Sequence, residues 1–145
     1  ACSGNPGPGG WAVIITGDPD IRMSGGEMET TNNRMEAMAM LRALRHCASV
    51  SGAFGIRSDS KYVIDGIHAW MPNWKANGWR TAAGKPTKNR DLWEQIDAIL
   101  TELKALGRDV EITHVRGHAG DAGNEACDRL AVEARLRVAQ TGARF

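Results

Sequence analysis

Residues 30–47 read TTNNRMEAMAMLRALRHC, and this stretch decides the fold. It switches abruptly to helical character. Ala, Met, Leu and Arg dominate it, all good helix formers. Met40, Ala43, Leu44 and Cys47 recur at helical spacing and mark an apolar face. On its N-terminal side, residues 21–29 read as a strand, with Gly25 and Gly26 allowing a bulge. Gly17-Asp18-Pro19-Asp20 is turn chemistry. Residues 11–16 read as a buried partner strand. Ahead of them lies a glycine-rich turn, Gly4-Asn5-Pro6-Gly7-Pro8-Gly9-Gly10. On its C-terminal side, a strand is expected over 53–59. Ser60 can cap the helix that follows, which carries Val63, Ile64 and Ile67. A second amphipathic helix over 91–106 places Leu92, Ile96, Ile99, Leu100 and Leu103 at helical spacing, and Gly107 stops it. A strand over 109–115, a loop over 117–123 and a helix over 124–139 complete the chain. The tail, TGARF, is expected to fray. Strands, helix, strand, helices, strand, helix: this order implies an α/β protein, a mixed sheet with helices packed on it.

At 145 residues one domain is expected, large enough to bury a core without staples. No run of apolar residues is long enough to cross a membrane as a helix. The three cysteines, Cys2, Cys47 and Cys127, have neither metal-ligand spacing nor a disulfide pattern, which points to a reducing cytoplasm. Nothing demands more than a monomer. The net charge of +1 is uninformative, but its distribution is not. Between residues 66 and 90 fall Lys75, Arg80, Lys85, Lys88 and Arg90 and no acidic residue. The remainder of the chain is therefore net acidic. A basic segment on an acidic body suits a directed contact with a polyanion.

Several polar residues admit two readings. Glu36 either completes a capping box with Asn33 or carries a carboxylate along the apolar face of its helix. Asp59, between a strand and a helix, either complements a helix dipole or stands at the carboxyl edge of a sheet, where ligands bind in α/β folds. Asp128 lies beside the stripe Cys127, Ala131 and Ala134 and reads as a solvated face or as a third functional acid. His118, on a glycine-rich loop, suits a polar or catalytic role better than a core one. His46, His68 and His114 read as surface or packing residues. The stretch AWMPNWKANGWRTAAGKPTKNRDLW holds Trp70, Trp74, Trp79 and Trp93. An aromatic cluster anchoring a loop explains the tryptophans. Aromatic rings interleaved with cations explain the basic residues too, because rings pack on sugars or bases while cations neutralise phosphates. The polar turns TTNN and GNPG can both donate and accept, as a ribose 2′-hydroxyl requires.

In order and approximate spacing, GNPGPGGW, TTNNRMEAM, SDSKYV, NWKANGWRT, KPTKNRDLW and VRGHAG with NEACDRLA resemble the type 1 ribonuclease H family, its bacterial branch, over nearly the whole chain. The resemblance implies a mixed five-stranded sheet flanked by helices. It implies endonucleolytic cleavage of the RNA strand of RNA–DNA hybrids by a two-metal mechanism, with Mg²⁺ as the cofactor and Mn²⁺ as a substitute. Carried over position by position, Glu36, Asp59 and Asp128 become metal-holding acids. His118 becomes a loop histidine that assists proton transfer or product departure. Asn32, Asn33 and Lys61, with the GNPG turn, fall near the hybrid's minor groove. Asn5 and Thr31 lie in motifs used for strand and phosphate contacts. Trp70, Trp74, Lys75, Trp79, Arg80, Lys85, Lys88 and Asn89 form the segment that would hold the DNA strand. Ala76 and Asn77 stand where some relatives carry further cations, which implies a shallower salt dependence.

The family's fourth acid lies in a Thr-Asp-Gly two positions upstream of Ala1. The expectation is that the native protein carries that strand. A chain truly beginning at Ala1 would instead be a hybrid-binding module unable to cut. A third possibility is a structural protein whose acids are caps and surface charges.

Overall fold

The computed structural model describes residues 4, 6–15, 21–50, 54–81, 83–108, 110–114 and 122–141, with backbone alone at 15, 54, 122–128 and 141. Ten elements follow in order: β1 (Gly7–Ile15), β2 (Ile21–Thr30), α1 (Asn32–Ser49), β3 (Phe54–Ser58), α2 (Lys61–Asp65), a π-helical turn (Gly66–Trp70), α3 (Met71–Ala76), α4 (Arg90–Ala105), β4 (Val110–His114) and α5 (Ala122–Thr141). The architecture is α/β, as the sequence implies. The chain forms two compact units, and the boundary falls inside α1, between Ala43 and Leu44.

The first unit holds β1, β2, the first part of α1, and α5. β1 and β2 pair antiparallel, with Trp11 opposite Gly25 and Ile15 opposite Ile21. β1 begins at Gly7, so half of the expected glycine turn is strand. The register slips between Gly7 and Gly9, where Met28 and Glu29 stand against Pro8 alone. Proline lacks the N–H that the ladder needs, so the irregularity sits there and not at Gly25-Gly26. Those two glycines pair regularly and serve a different purpose. A Cβ on Gly26 would lie 2.7 Å from Val138 Cγ2, and one on Gly10 would lie 2.3 Å from the Ala131 carbonyl oxygen. Bare backbone here lets α5 rest directly on the hairpin. Ala134 and Val138 of α5 are buried, as are Met35, Ala37, Met40 and Leu41 of α1. The expected turn at 17–20 lies outside the described residues.

The second unit runs from Leu44 to Val115. β3 and β4 pair parallel, Ile56 opposite Ile112. A parallel pair needs a long crossover, and the helices from α2 to α4 supply it. Ser60 caps α2: its hydroxyl accepts from the Val63 amide at 3.1 Å. The helix then runs on through a π turn into α3, farther than its apolar spacing indicates. Gly66 opens the π turn because the Trp93 ring packs against it; a Cβ there would lie 2.1 Å from Trp93 Cη2. Pro72, near the start of α3, adds no N–H to the ladder, and the widened turn lies directly before it. α4 buries Leu92, Trp93, Ile96 and Leu103, while Ile99 and Leu100 are half-buried. Gly107, at φ 67°, ends α4. Its amide donates to Lys104 and that of Arg108 to Leu103, a Schellman closure. Arg108 then reaches back to the C-terminus of α1, donating to the carbonyls of Cys47, Ala48 and Val50. Residues 115–121 and 142–145 lie outside the described residues, and α5 starts two residues before the expected position.

Candidate active site and nucleic-acid interface

In the first unit, the N-terminus of α1 answers the capping reading of Glu36. Thr31, the residue before the helix, accepts from the Arg34 amide at 3.2 Å. The cap is therefore Thr31 and not Asn33, and Glu36 lies a further half-turn in, beyond capping-box position. It is half-buried. Asn32 and Asn33 occupy the first turn of α1 and are exposed. Arg34 Nε lies 3.7 Å from Glu27 Oε2, which ties this turn to β2. Asp128 lies in α5, with its side chain outside the described residues, as are Asn5 and His118 entirely.

In the second unit, Asp59 follows the last residue of β3, at the carboxyl end of the strand. It is half-buried. Its neighbours do the local work: the Ser60 amide donates to Ser58 Oγ at 3.1 Å, and Ser60 caps α2. The Asp59 backbone is thus held while its carboxylate is not needed as the cap. Hard carboxylate oxygens on fixed backbone suit a hard divalent cation. Among the described residues no three of His, Cys, Asp and Glu form a ready-made metal group.

Lys61 opens α2 and is exposed. Three of the four tryptophans, Trp70, Trp74 and Trp93, form a cluster that Tyr62 joins, and among the described residues no ring contact places Trp79 in it. Trp74 lies 5.3 Å from Trp93 and 5.9 Å from Trp70, and Tyr62 packs against Trp93 at 5.6 Å and Trp70 at 6.1 Å, all between ring centroids. Trp93 is fully buried, while Trp70 is 39 % exposed. The cluster anchors the segment, as the structural reading expects, and leaves the Trp70 ring partly open to solvent. Trp79 is half-buried and adopts φ 62°, and its carbonyl accepts from the Thr87 amide at 3.0 Å. Arg80 donates to the Gly84 carbonyl at 3.1 Å, closing the loop. Lys85 and Lys88 are exposed. Asn89 stands at φ 58° ahead of α4 and donates to the Tyr62 hydroxyl at 3.2 Å.

One expectation changes in space. A segment without acids in sequence is not without acids around it. Lys75 Nζ lies 3.1 Å from Asp97 Oδ1, and Arg90 Nε lies 2.9 Å from Glu94 Oε1. Both acids come from α4, outside the basic stretch. Sequence reading also passed over Tyr62, the chain's one tyrosine, although it sits in the SDSKYV motif three residues after Asp59. Its helical spacing from Gly66, against which Trp93 packs, was the available signal.

The fold is shared with solved ribonuclease H structures. LC9-RNase H1, described as a type 1 RNase H with the type 2 active-site motif, superposes with TM-score 0.72 at 30 % identity over 100 % of this chain and 72 % of its own. A foamy viral protease-reverse transcriptase solved with an RNA/DNA hybrid gives TM-score 0.72 at 20 % identity, over 92 % of this chain but only 20 % of that much longer one, a likeness of fold. In sequence, the Ribonuclease H of Treponema denticola is 46 % identical over 151 aligned positions, spanning 92 % of this chain and 91 % of the relative. The family model for RNase H matches residues 1–135. The chain belongs to the ribonuclease H family. The family is in general dependent on a divalent metal.

Proposed function

We propose that this chain is an endoribonuclease that cleaves the RNA strand of RNA–DNA hybrids, with Glu36, Asp59 and Asp128 as the carboxylates that hold Mg²⁺, or Mn²⁺ in its place. The observation that carries the assignment of acids is the division of labour at two helix starts. Thr31 and Ser60 do the capping, and Glu36 and Asp59 are half-buried carboxylates beside them. Gathering carboxylates round one cation has a cost: any two brought to about 4 Å would repel by about 4 kcal/mol at an effective dielectric of 20. A divalent cation held by Glu36, Asp59 and Asp128 would offset that cost and would supply activation of a water and neutralisation of charge at the scissile phosphate. His118 assists proton transfer or product departure.

Recognition of the hybrid falls to the polar turns and the second unit. Asn5, Asn32, Asn33 and Lys61 take the RNA side, where 2′-hydroxyls both donate and accept. The exposed ring of Trp70, with Trp74 against it, packs on the DNA strand, Trp79 adds a further ring, and Arg80, Lys85, Lys88 and Asn89 hold its phosphates. Lys75 contributes in exchange with Asp97. Thr31 adds a phosphate contact only as far as its cap allows. The family match over residues 1–135 supports reading the chain as one ribonuclease H domain; its action as a monomer in the cytoplasm is part of the same proposal. No helix among the described residues is long and apolar enough to cross a membrane.

Incubation of the protein with labelled hybrid, single-stranded RNA and duplex DNA tests this reading. Hybrid RNA is cut with Mg²⁺ and preserved with a chelator, and the other two substrates survive. Stable retention of hybrid without product over hours supports the binding-module alternative instead.

A further inference from the structure

Tyr62 enters no role assigned above. Its phenolic oxygen accepts from Trp93 Nε1 at 3.0 Å and from Asn89 Nδ2 at 3.2 Å. A phenol oxygen offers two lone pairs and one hydrogen, so both of its acceptor positions are used. The two donors differ in kind. Trp93 is fully buried and packed against Gly66. Asn89 is half-buried on a loop and held at φ 58°, a conformation that non-glycine residues seldom adopt. The hydroxyl therefore connects a fixed core indole to a strained loop amide, while the tyrosine ring packs on Trp70, the exposed member of the cluster.

On the hybrid-binding reading above, we propose that Tyr62 is a positioning residue for the nucleic acid. Its hydroxyl fixes the Asn89 side chain in its binding orientation ahead of α4. A neutral hydrogen bond of this sort changes affinity through the geometry it holds, without touching the reacting phosphate.

The test compares Tyr62→Phe, Asn89→Gly and the double variant with the parent protein. Phenylalanine keeps the ring and its contacts, and glycine removes the amide while accepting the positive φ. Hybrid affinity is read by titrating labelled hybrid without divalent metal, KM and kcat by cleavage with Mg²⁺, and folding by thermal melting. Tyr62→Phe should weaken affinity and raise KM about three- to ten-fold, with kcat unchanged. Asn89→Gly should do the same, and the double variant should be no weaker than Asn89→Gly alone. A lowered melting temperature with parental affinity, additive losses in the double variant, or a loss confined to kcat overturns the proposal. A parent that neither retains nor cuts hybrid overturns the underlying functional reading as well, which separates the two failures.

Discussion

Thr31 and Ser60 perform the capping that nearby acids could have performed, and this division gives single substitutions opposite signatures. Replacing Ser60 by alanine leaves the Val63 amide without its partner and should cost about 1 kcal/mol by chemical denaturation. Glu36→Gln and Asp59→Asn should leave stability near parental, since neither is a cap. Each should nonetheless lower the rate of hybrid cleavage roughly 10²–10³-fold or more. Cys47 is a different case. It is buried and free, and burial pushes its thiol above the ordinary range. The folded state favours the neutral thiol, so this group's contribution is whole below the ordinary thiol pKa and fades as pH rises through the alkaline range. Alkylation at neutral pH, mapped by mass spectrometry of peptides, should spare Cys47 until denaturant is added; prompt labelling in the native protein would contradict its burial.

At the scale of elements, α5 depends on two glycines it does not contain. Gly26→Ala would drive a methyl group into Val138 and the Gly9 carbonyl, and overpacking of this kind costs about 1–3 kcal/mol. Urea titration should show it as a lowered midpoint with an unchanged slope. Much of the secondary structure was legible because it follows local pattern. α4 is amphipathic from end to end and stops at a glycine, and β2 and β4 lie within two residues of their expected ends. What local pattern missed depended on partners distant in sequence. Gly7–Gly10 looked like turn and is strand, because β2 supplies its pairing. The helix after Ser60 shows apolar spacing only as far as Ile67, yet with Trp93 packed on Gly66 it runs through a π turn to Ala76. The acid-free segment acquired acids from α4 in the same way. At the site, TTNNRMEAM and SDSKYV hold Glu36 and Asp59, and Ser60 is legible as the cap of α2, whereas the cap of α1 is Thr31 and not the expected Asn33.

For the molecule as a whole, charge bears on binding more than on folding. With Lys75 paired to Asp97 and Arg90 to Glu94, the proposed binding mode leaves the exposed cations Arg80, Lys85 and Lys88 to carry most phosphate contacts. The logarithm of hybrid affinity should fall against the logarithm of salt with a slope of about −3, where five phosphate contacts would give about −4.5. Asp97→Asn frees Lys75 and should steepen that slope by about 1. The central claim is that acids from separate stretches act together through a divalent metal. The most direct measurement is the rate of RNA cleavage in hybrid across a Mg²⁺ series, for the parent and for Asp59→Asn. The parent should rise from no cleavage to a plateau, and Asp59→Asn should stay near the floor throughout while retaining its fold. Parental cutting by Asp59→Asn, or cutting by the parent that a chelator leaves intact, would contradict the account.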